Sequence, residues 1–228
     1  MTNSDVPLMP RRVIKLGGSL LDWDEWIPQF REWLARQYPA ENLLIVGGGK
    51  LADWIREADR VHHLGESDAH WLCIRAMAVQ AELARCLLPE AAWLSSIRGL
   101  SSETPNHRLS IIDPWQFMTV DDPQTSPAPL PTSWDVTSDS IAARLAAIVG
   151  AVDLVLLKSA LPDNGRLDIV ESLVEAGYVD RYFGQAAANL NMVRLVNLRR
   201  PAFPEVKTGR EISSELAAAV AKLRANKL

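Results

Sequence analysis

Apolar residues along this chain fall into short unbroken runs that alternate with longer stretches of helical spacing. The first run, VIKL at 13–16, stops at a glycine pair, which is the pattern of a buried strand feeding a loop. In WIPQFREWLARQY, which follows, Trp26, Phe30, Trp33 and Leu34 share one helical face, and Pro28 fits a first turn where its missing N–H does no harm. Leu43–Val46 is a second strand-like run, ended by Gly47, Gly48 and Gly49. Strand, glycine loop and helix, twice over, predict an α/β fold: a three-layer αβα sandwich around a mostly parallel open sheet.

The longest helical signal runs from about Ser67 to Leu88, with Ser67 or Asp68 as its cap and Pro89 as its stop. Its apolar residues occupy more than one face, which predicts a central helix or one shared with a second subunit in a homodimer or higher homo-oligomer. Between Asp121 and Ser133, DDPQTSPAPLPTS has four prolines and no periodicity, and reads as an extended connection between two halves of a single domain. Beyond it come a capped helix in VTSDSIAARLAAIVGA, a fully apolar strand in VDLVLLK, a helix in IVESLVEAG and a strand in NMVRLVNL. A polar stretch and a final helix, ISSELAAAVAKL, complete the pattern.

Composition narrows the partners. The 228 residues are 48% hydrophobic and 23% charged with a net charge of −4, which argues against nucleic acid or an anionic membrane but leaves room for a small phosphorylated molecule in a locally positive cleft. Cys73 and Cys86 lie thirteen residues apart in one predicted helix, ~20 Å along its axis. That is beyond disulfide reach, and the spacing suits no metal, so both read as buried thiols in a reducing compartment. With no apolar signal core and no run of 18 apolar residues, the expected location is the cytoplasm.

Both glycine loops stand at carboxyl ends of predicted strands, where open parallel sheets bind ligands. Glycines let backbone N–H groups approach phosphate oxygens, and the helix N-terminus behind each loop favours an anion. Lys15 could add a full positive charge there, and Lys158, closing VDLVLLK, is a second candidate cation. In TSDS, Thr137 or Ser138 caps a helix and leaves Asp139 in its first turn, a carboxylate placed to orient lysines or a metal-bound triphosphate. Neither loop is a P-loop; GGGKLA fits only a relaxed dinucleotide fingerprint, so a nicotinamide-binding reading stays open as a minor alternative. His62 and His63 are adjacent and cannot face the same way in a helix, which argues against a metal site with His70. Asp59 and Asp68 flank that segment and could bind a substrate ammonium. Trp71 and Trp134 are the tryptophans expected to line a cleft.

KLGGSLL, IVGGGKLAD and TSDSIAA, in this order, resemble the amino-acid kinase superfamily, which includes acetylglutamate, aspartate and uridylate kinases. The runs DRVHHLGESDAHWLCIRAMAVQAELA and WDVTSDSIAARLA look like its methanofuran-biosynthesis branch, kinases of an aminomethylfuran methyl phosphate. The resemblance implies an ATP- and Mg²⁺-dependent small-molecule kinase, with a substrate-side half at about 11–120 and a nucleotide-side half at about 134–228. Lys15, Gly17, Gly18 and Ser19 would hold the transferring phosphates, and Gly47, Gly48 and Gly49 would face the acceptor. Asp139 would position the lysines, Lys158 would lie near the nucleotide, and His63 or His70 would touch substrate. Mg²⁺ would be held by nucleotide oxygens and water rather than by a protein metal site. Two family features are absent: KSALPDNG lacks the acidic T-D-V-D-G-type turn, and no glycine-rich segment with a lysine precedes the last strand. Arg166 or Arg181 would be the substitute cations. These absences motivate a second reading, a kinase-like nucleotide- or anion-binding protein acting as a sensor or complex subunit.

Overall fold

Strand β1 (Arg11–Leu16) is the middle of a seven-stranded sheet whose order is β3-β4-β2-β1-β5-β6-β7. The other strands are β2 (Glu41–Val46), β3 (Ala92–Leu94), β4 (Leu109–Ile112), β5 (Asp153–Lys158), β6 (Val193–Asn197) and β7 (Glu205–Thr208). All neighbours pair in parallel except β6 and β7, which are antiparallel. The structure, a computed structural model, describes residues 9–100, 108–126, 128–161 and 170–208. The expected final helix, ISSELAAAVAKL, and Arg166 lie outside them.

Burial on both faces makes the sheet the middle layer. Val13, Leu43, Ile45, Leu154 and Leu156 point into one apolar cluster, and Ile14, Leu16, Leu44, Val46, Val155 and Leu157 into another, as alternation along a strand requires. Helix α1 (Trp26–Ala35) covers the second face with Trp26, Phe30 and Trp33. Helix α2 (Gly49–His62) leaves the second glycine loop and packs against the 22-residue α3 (Glu66–Leu87). Helix α4 (Ser138–Ile148) covers the first face with Ile141, Ala142 and Leu145. Two shorter helices, α5 (Val170–Glu175) and α6 (Phe183–Ala186), follow β5.

At the amino ends of the strands the sheet is held by a buried ionic network. The Asp153 carboxylate accepts hydrogen bonds from Arg12 Nε (3.0 Å) and from Arg194 Nε (3.0 Å) and Nη2 (2.7 Å), tying β5 to both of its neighbours. Burial alone would favour a protonated Asp153, but the two guanidiniums outweigh it and hold the carboxyl below its ordinary value.

Four sequence expectations change. The chain from Pro114 to Thr125 is helical: a turn at Pro114–Gln116, a π turn at Phe117–Asp121 and a turn at Asp122–Thr125. The expected extended connection therefore begins only after Thr125. Pro123 cannot donate to the carbonyl four residues back, and a π turn before it is a way to carry a helix past a proline. Asp121 and Asp122 are buried because they cap other backbone: Asp121 accepts from Ser96 Oγ (2.7 Å) and Ile97 N (3.0 Å), and Asp122 accepts from Leu130 N (2.8 Å). The cap of α3 is Gly65 at φ 91°, a backbone angle that suits glycine, and not Ser67 or Asp68. Of the two free thiols only Cys73 is partly buried; Cys86 is exposed. Finally, the stretch read as polar after NMVRLVNL contains the edge strand β7.

Candidate active site

The chain passes from β1 to β2 on one side, and later enters β5 on the other side of β1. Ligands of open α/β sheets bind at such a reversal, beyond the carboxyl ends of the strands. Three charged side chains meet there. Lys15 shares its face of β1 with Val13, and Lys158 shares its face of β5 with Leu154 and Leu156; both are the face that α4 covers. Lys15 pairs in register with Leu156, so Lys158 stands two residues further along the neighbouring strand. Asp139, in the first turn of α4, reaches between them: Lys15 Nζ lies 3.0 Å from Oδ1, and Lys158 Nζ lies 2.9 and 2.8 Å from Oδ1 and Oδ2. Lys158 also donates to the Tyr178 carbonyl at 2.8 Å.

Two cations share one carboxylate here, and the titration of the group follows from that imbalance. Burial opposes ionisation of Asp139, yet Lys15 and Lys158 together overcome it and hold the carboxyl at about 2. Lys158 is pulled down to about 8, first by burial and then by Lys15, with Asp139 only partly offsetting them. Asp180 also supports the charge of Lys158 from behind. Within the group that faces the cleft, two lysines share the single carboxylate of Asp139, a balance that an anionic ligand would complete.

Asp139 is fixed from behind. Thr137 caps α4, and the buried side of the cap is completed by Asp180. Asp180 Oδ2 accepts from Thr137 N (2.9 Å), Thr137 Oγ1 (2.7 Å) and Ser140 N (3.0 Å), while Oδ1 accepts from Ser140 Oγ. Burial raises the pKa of Asp180, with the hydrogen bonds from Ser140 and Thr137 working against it. No local pattern in the sequence marks Asp180, which lies forty or more positions from its partners.

The glycine loops explain themselves by contact with each other. A Cβ on Gly18 would sit 2.1 Å from Gly49 N and 2.4 Å from Gly49 Cα, and Gly49 itself has φ 53°. The ladder runs into both loops, through Gly17 N to Leu157 O (2.9 Å) and Gly47 N to Leu16 O (2.9 Å). The absence of side chains therefore lets two loops touch at the head of the sheet, and it also leaves their backbone exposed to the cleft.

A cavity of about 270 Å³ opens in front of this arrangement. Lys15, Gly18, Ser19, Gly47, Gly48, Gly49 and Asp139 line its floor, so seven residues singled out in the sequence are brought together. The walls come from Ala52, Asp53 and Arg56 of α2, from His70, Cys73, Ile74 and Met77 of α3, and from Trp134, Val136, Thr137, Ser138 and Ile141 around the start of α4. Arg56 lies over the Trp134 ring at 5.4 Å. His70 is buried: Nδ1 is 3.0 Å from the Ser133 carbonyl, and Nε2 has no partner among the described residues. Burial lowers the His70 pKa, with Ser133 acting in the opposite sense, so the ring is a neutral group on the cavity wall.

Other expected residues stand elsewhere. Asp59 accepts from Gly65 N (3.1 Å) and Trp134 Nε1 (3.1 Å), so it braces the α2–α3 turn and does not line the cavity. His63 is exposed and ends α2 in the left-handed region, φ 53°. Asp68 is exposed and lies outside the cavity, and Trp71 packs edge-on against Trp115 at 5.7 Å. Gly17 sits beneath the loop and does not line the cavity, whereas Ser19, on the cavity floor, has its Oγ 3.2 Å from Ser159 Oγ. Arg181 is exposed, 3.6 Å from Asp135. Among the described residues no group of three or more His, Cys, Asp and Glu is placed to hold a metal ion, and no helix is long and apolar enough to cross a membrane.

No family model matches the chain, and neither does any curated protein sequence. Solved structures do match. A UMP kinase from Ureaplasma parvum superposes with a TM-score of 0.58 at 13% identity, covering 89% of this chain and 100% of its own. A UMP kinase from Bacillus anthracis gives 0.61 at 12% identity, over 90% and 98%. A uridylate kinase from Archaeoglobus fulgidus gives 0.54 at 18% identity, over 92% and 95%. At these identities the likeness is one of architecture: the chain has the fold of the UMP kinases, which are members of the amino-acid kinase superfamily.

Proposed function

We propose that the protein is a cytoplasmic phosphotransferase that moves the γ-phosphoryl group of ATP, with Mg²⁺, onto a small phosphorylated or amine-bearing acceptor. The observation that carries this reading is the surplus positive charge of Lys15–Asp139–Lys158, set beside two touching glycine loops at the strand reversal. An acceptor phosphate oxygen attacks the γ-phosphorus, the bond to the β-phosphate oxygen breaks, and ADP leaves with the displaced charge. Such a transfer asks the protein mainly for alignment and charge neutralisation. Lys15, on the cavity floor, meets charge on the moving group, and Lys158 adds its positive charge from beside it; Asp139 keeps both ammonium groups in place; the N–H groups of Gly18, Gly48 and Gly49 line the path. An ionised acceptor phosphate is already a nucleophile, so a neutral His70 serves as wall and not as base. Mg²⁺ would enter with the triphosphate oxygens and neutralise part of their charge.

The finer assignment, a step in methanofuran-like one-carbon cofactor biosynthesis, is supported by the resemblance of the α2–α3 and α4 sequences described above. The superposed kinases add UMP to the acceptors worth testing.

An ADP-release assay over a panel containing aminomethylfuran methyl phosphate, UMP and primary amines tests the proposal. We expect turnover with at least one acceptor and a fall of ~10²-fold or more in Lys15→Ala. An unchanged rate in that variant refutes the role of Lys15. ATP-analogue binding without turnover on any acceptor would favour the sensor or complex-subunit reading, which the missing acidic turn after β5 motivates.

A further inference from the structure

The carboxyl ends of three neighbouring strands, β1, β5 and β6, carry a second polar group beside the two-lysine cluster. Ser19 follows the first glycine loop, Ser159 follows Lys158 at the end of β5, and Arg199 stands two residues beyond β6. Ser19 Oγ and Ser159 Oγ lie 3.2 Å apart, and Arg199 Nη2 donates to the Ser19 carbonyl at 3.3 Å. The backbone holds the root of Arg199 in place. Its N–H donates to Asn197 Oδ1 (3.0 Å), and the N–H of Leu198 donates to the Lys158 carbonyl (3.0 Å). The guanidinium lies over the Trp23 ring at 5.5 Å. An arginine rooted at the end of β6 thus reaches back across β5 to the first glycine loop.

The bonding of this group is that of a seat for an anion. Among the described residues no carboxylate pairs with Arg199. Arg56, the guanidinium on the cavity wall, is by contrast tied to Asp53 at 2.9 Å, and Arg181 faces Asp135 at 3.6 Å. The bond from Arg199 to Ser19 is long and goes to a neutral acceptor, so most of its N–H donors are left for a ligand. When one serine hydroxyl donates to the other, the second keeps a proton to donate onward. Position agrees as well. Ser19 lines the cavity, while α3, which helps to wall it, packs over β2 and β4 on the other side of β1. A phosphate chain that starts at Lys15 and runs away from that wall passes Ser19 and meets Ser159 and Arg199.

Building on the reading of the protein as an ATP-dependent phosphotransferase, we propose that Arg199 binds the diphosphate part of the donor, with the Ser19 and Ser159 hydroxyls donating to the same oxygens. Arg199 then supplies, from the turn after β6, the second phosphate cation whose usual glycine-rich segment the sequence lacks. A guanidinium suits the place because its planar fork meets two oxygens of one phosphate. Negative charge grows on this diphosphate as the bond to the γ-phosphorus breaks, so a cation there favours departure of ADP.

Titration calorimetry of the full chain with three probes tests the assignment: a non-hydrolysable ATP analogue with Mg²⁺, inorganic tripolyphosphate with Mg²⁺, and AMP. In Arg199→Met we expect the first two to bind at least ~10-fold more weakly, as when a charged hydrogen bond is lost. AMP has no β-phosphate and should bind as it does to wild type. Arg199→Lys should recover part of the loss, since it restores the charge without the fork, and Ser159→Ala should weaken the same two probes about 3-fold. The Arg199 side chain is exposed, so melting curves of its variants should match wild type. Unchanged affinity for both polyphosphates in Arg199→Met overturns the proposal, as does an equal loss for AMP. Nucleotide binding that ignores Arg199→Met refutes this site and leaves ATP standing as donor. Tripolyphosphate binding that Arg199→Met abolishes, in a protein that binds no nucleotide, upholds the site and refutes ATP. A wild type that binds neither polyphosphate overturns both.

Discussion

Replacing Asp139 by asparagine keeps the shape of the side chain and removes the one negative charge shared by Lys15 and Lys158. In the folded protein the carboxyl titrates at about 2 against an ordinary 3.8, so its ionised form is preferentially stabilised by about 2 kcal/mol. The sign follows from the lowered value: the contribution is fully present above pH ~4 and is lost as pH falls through about 2. The substitution also leaves two cations facing each other in a buried corner, and breaking such a pair typically costs about 3–5 kcal/mol. That loss has a ceiling, because Lys158 already titrates at about 8 with the help of Asp139 and sheds its proton near neutrality without it. We therefore expect Asp139→Asn to be less stable by about 2–3 kcal/mol at pH 7. The measurement is urea unfolding of both proteins at intervals from pH 7 to pH 2. Wild type should lose its advantage progressively below pH ~4, so the two curves converge. Curves that stay parallel across that interval, or a variant within about 0.5 kcal/mol of wild type at pH 7, would show that the carboxylate does not hold the lysines as described.

Two further substitutions test the scaffold around this cluster. Gly18→Ala places a methyl group 2.1 Å from the backbone of Gly49 and should cost on the order of 3 kcal/mol in thermal or urea unfolding. Gly150→Ala is the control: nothing lies within 4 Å and only its φ of 64° is strained, so about 1 kcal/mol is expected. Equal effects would mean that loop contact is not what requires glycine at 18. Asp180→Ala removes the shared cap on Thr137 and Ser140 and should destabilise by about 1–2 kcal/mol, a drop in Tm of about 2–4 °C per kcal/mol. An unchanged melting curve would remove Asp180 from the support of α4.

What the sequence revealed was what local chemistry encodes. VIKL, LLIV and VDLVLL are apolar runs stopped by glycine or lysine, and they became β1, β2 and β5 because strands buried on both faces have no need of alternation. Lys15, Asp139 and Lys158 were legible for the same reason, each sitting at a strand end or in a capped first turn. Contacts between distant segments were not. Gly18 touching Gly49, Asp180 closing the cap of α4, and Arg56 on the cavity wall depend on pairings that no window of sequence contains. Pro123 hid the helix around it by breaking the expected periodicity, and Glu205–Thr208 reads as polar because an edge strand can face water. Asp59 and His63 were drawn into the expected site by their neighbours in the chain, but the turn from α2 to α3 uses them for its own bracing.

The central claim is that the two-lysine, one-carboxylate cluster is short of one negative charge and receives a phosphate anion. Titration calorimetry of a non-hydrolysable ATP analogue with Mg²⁺ at pH 8.5, in two buffers of different ionisation enthalpy, measures it directly. With Lys158 at about 8 in the free protein, binding that restores its charge must take up most of a proton. The account predicts that uptake in wild type and its loss in Lys158→Met. Absence of binding, or a proton uptake unchanged in Lys158→Met, would contradict it.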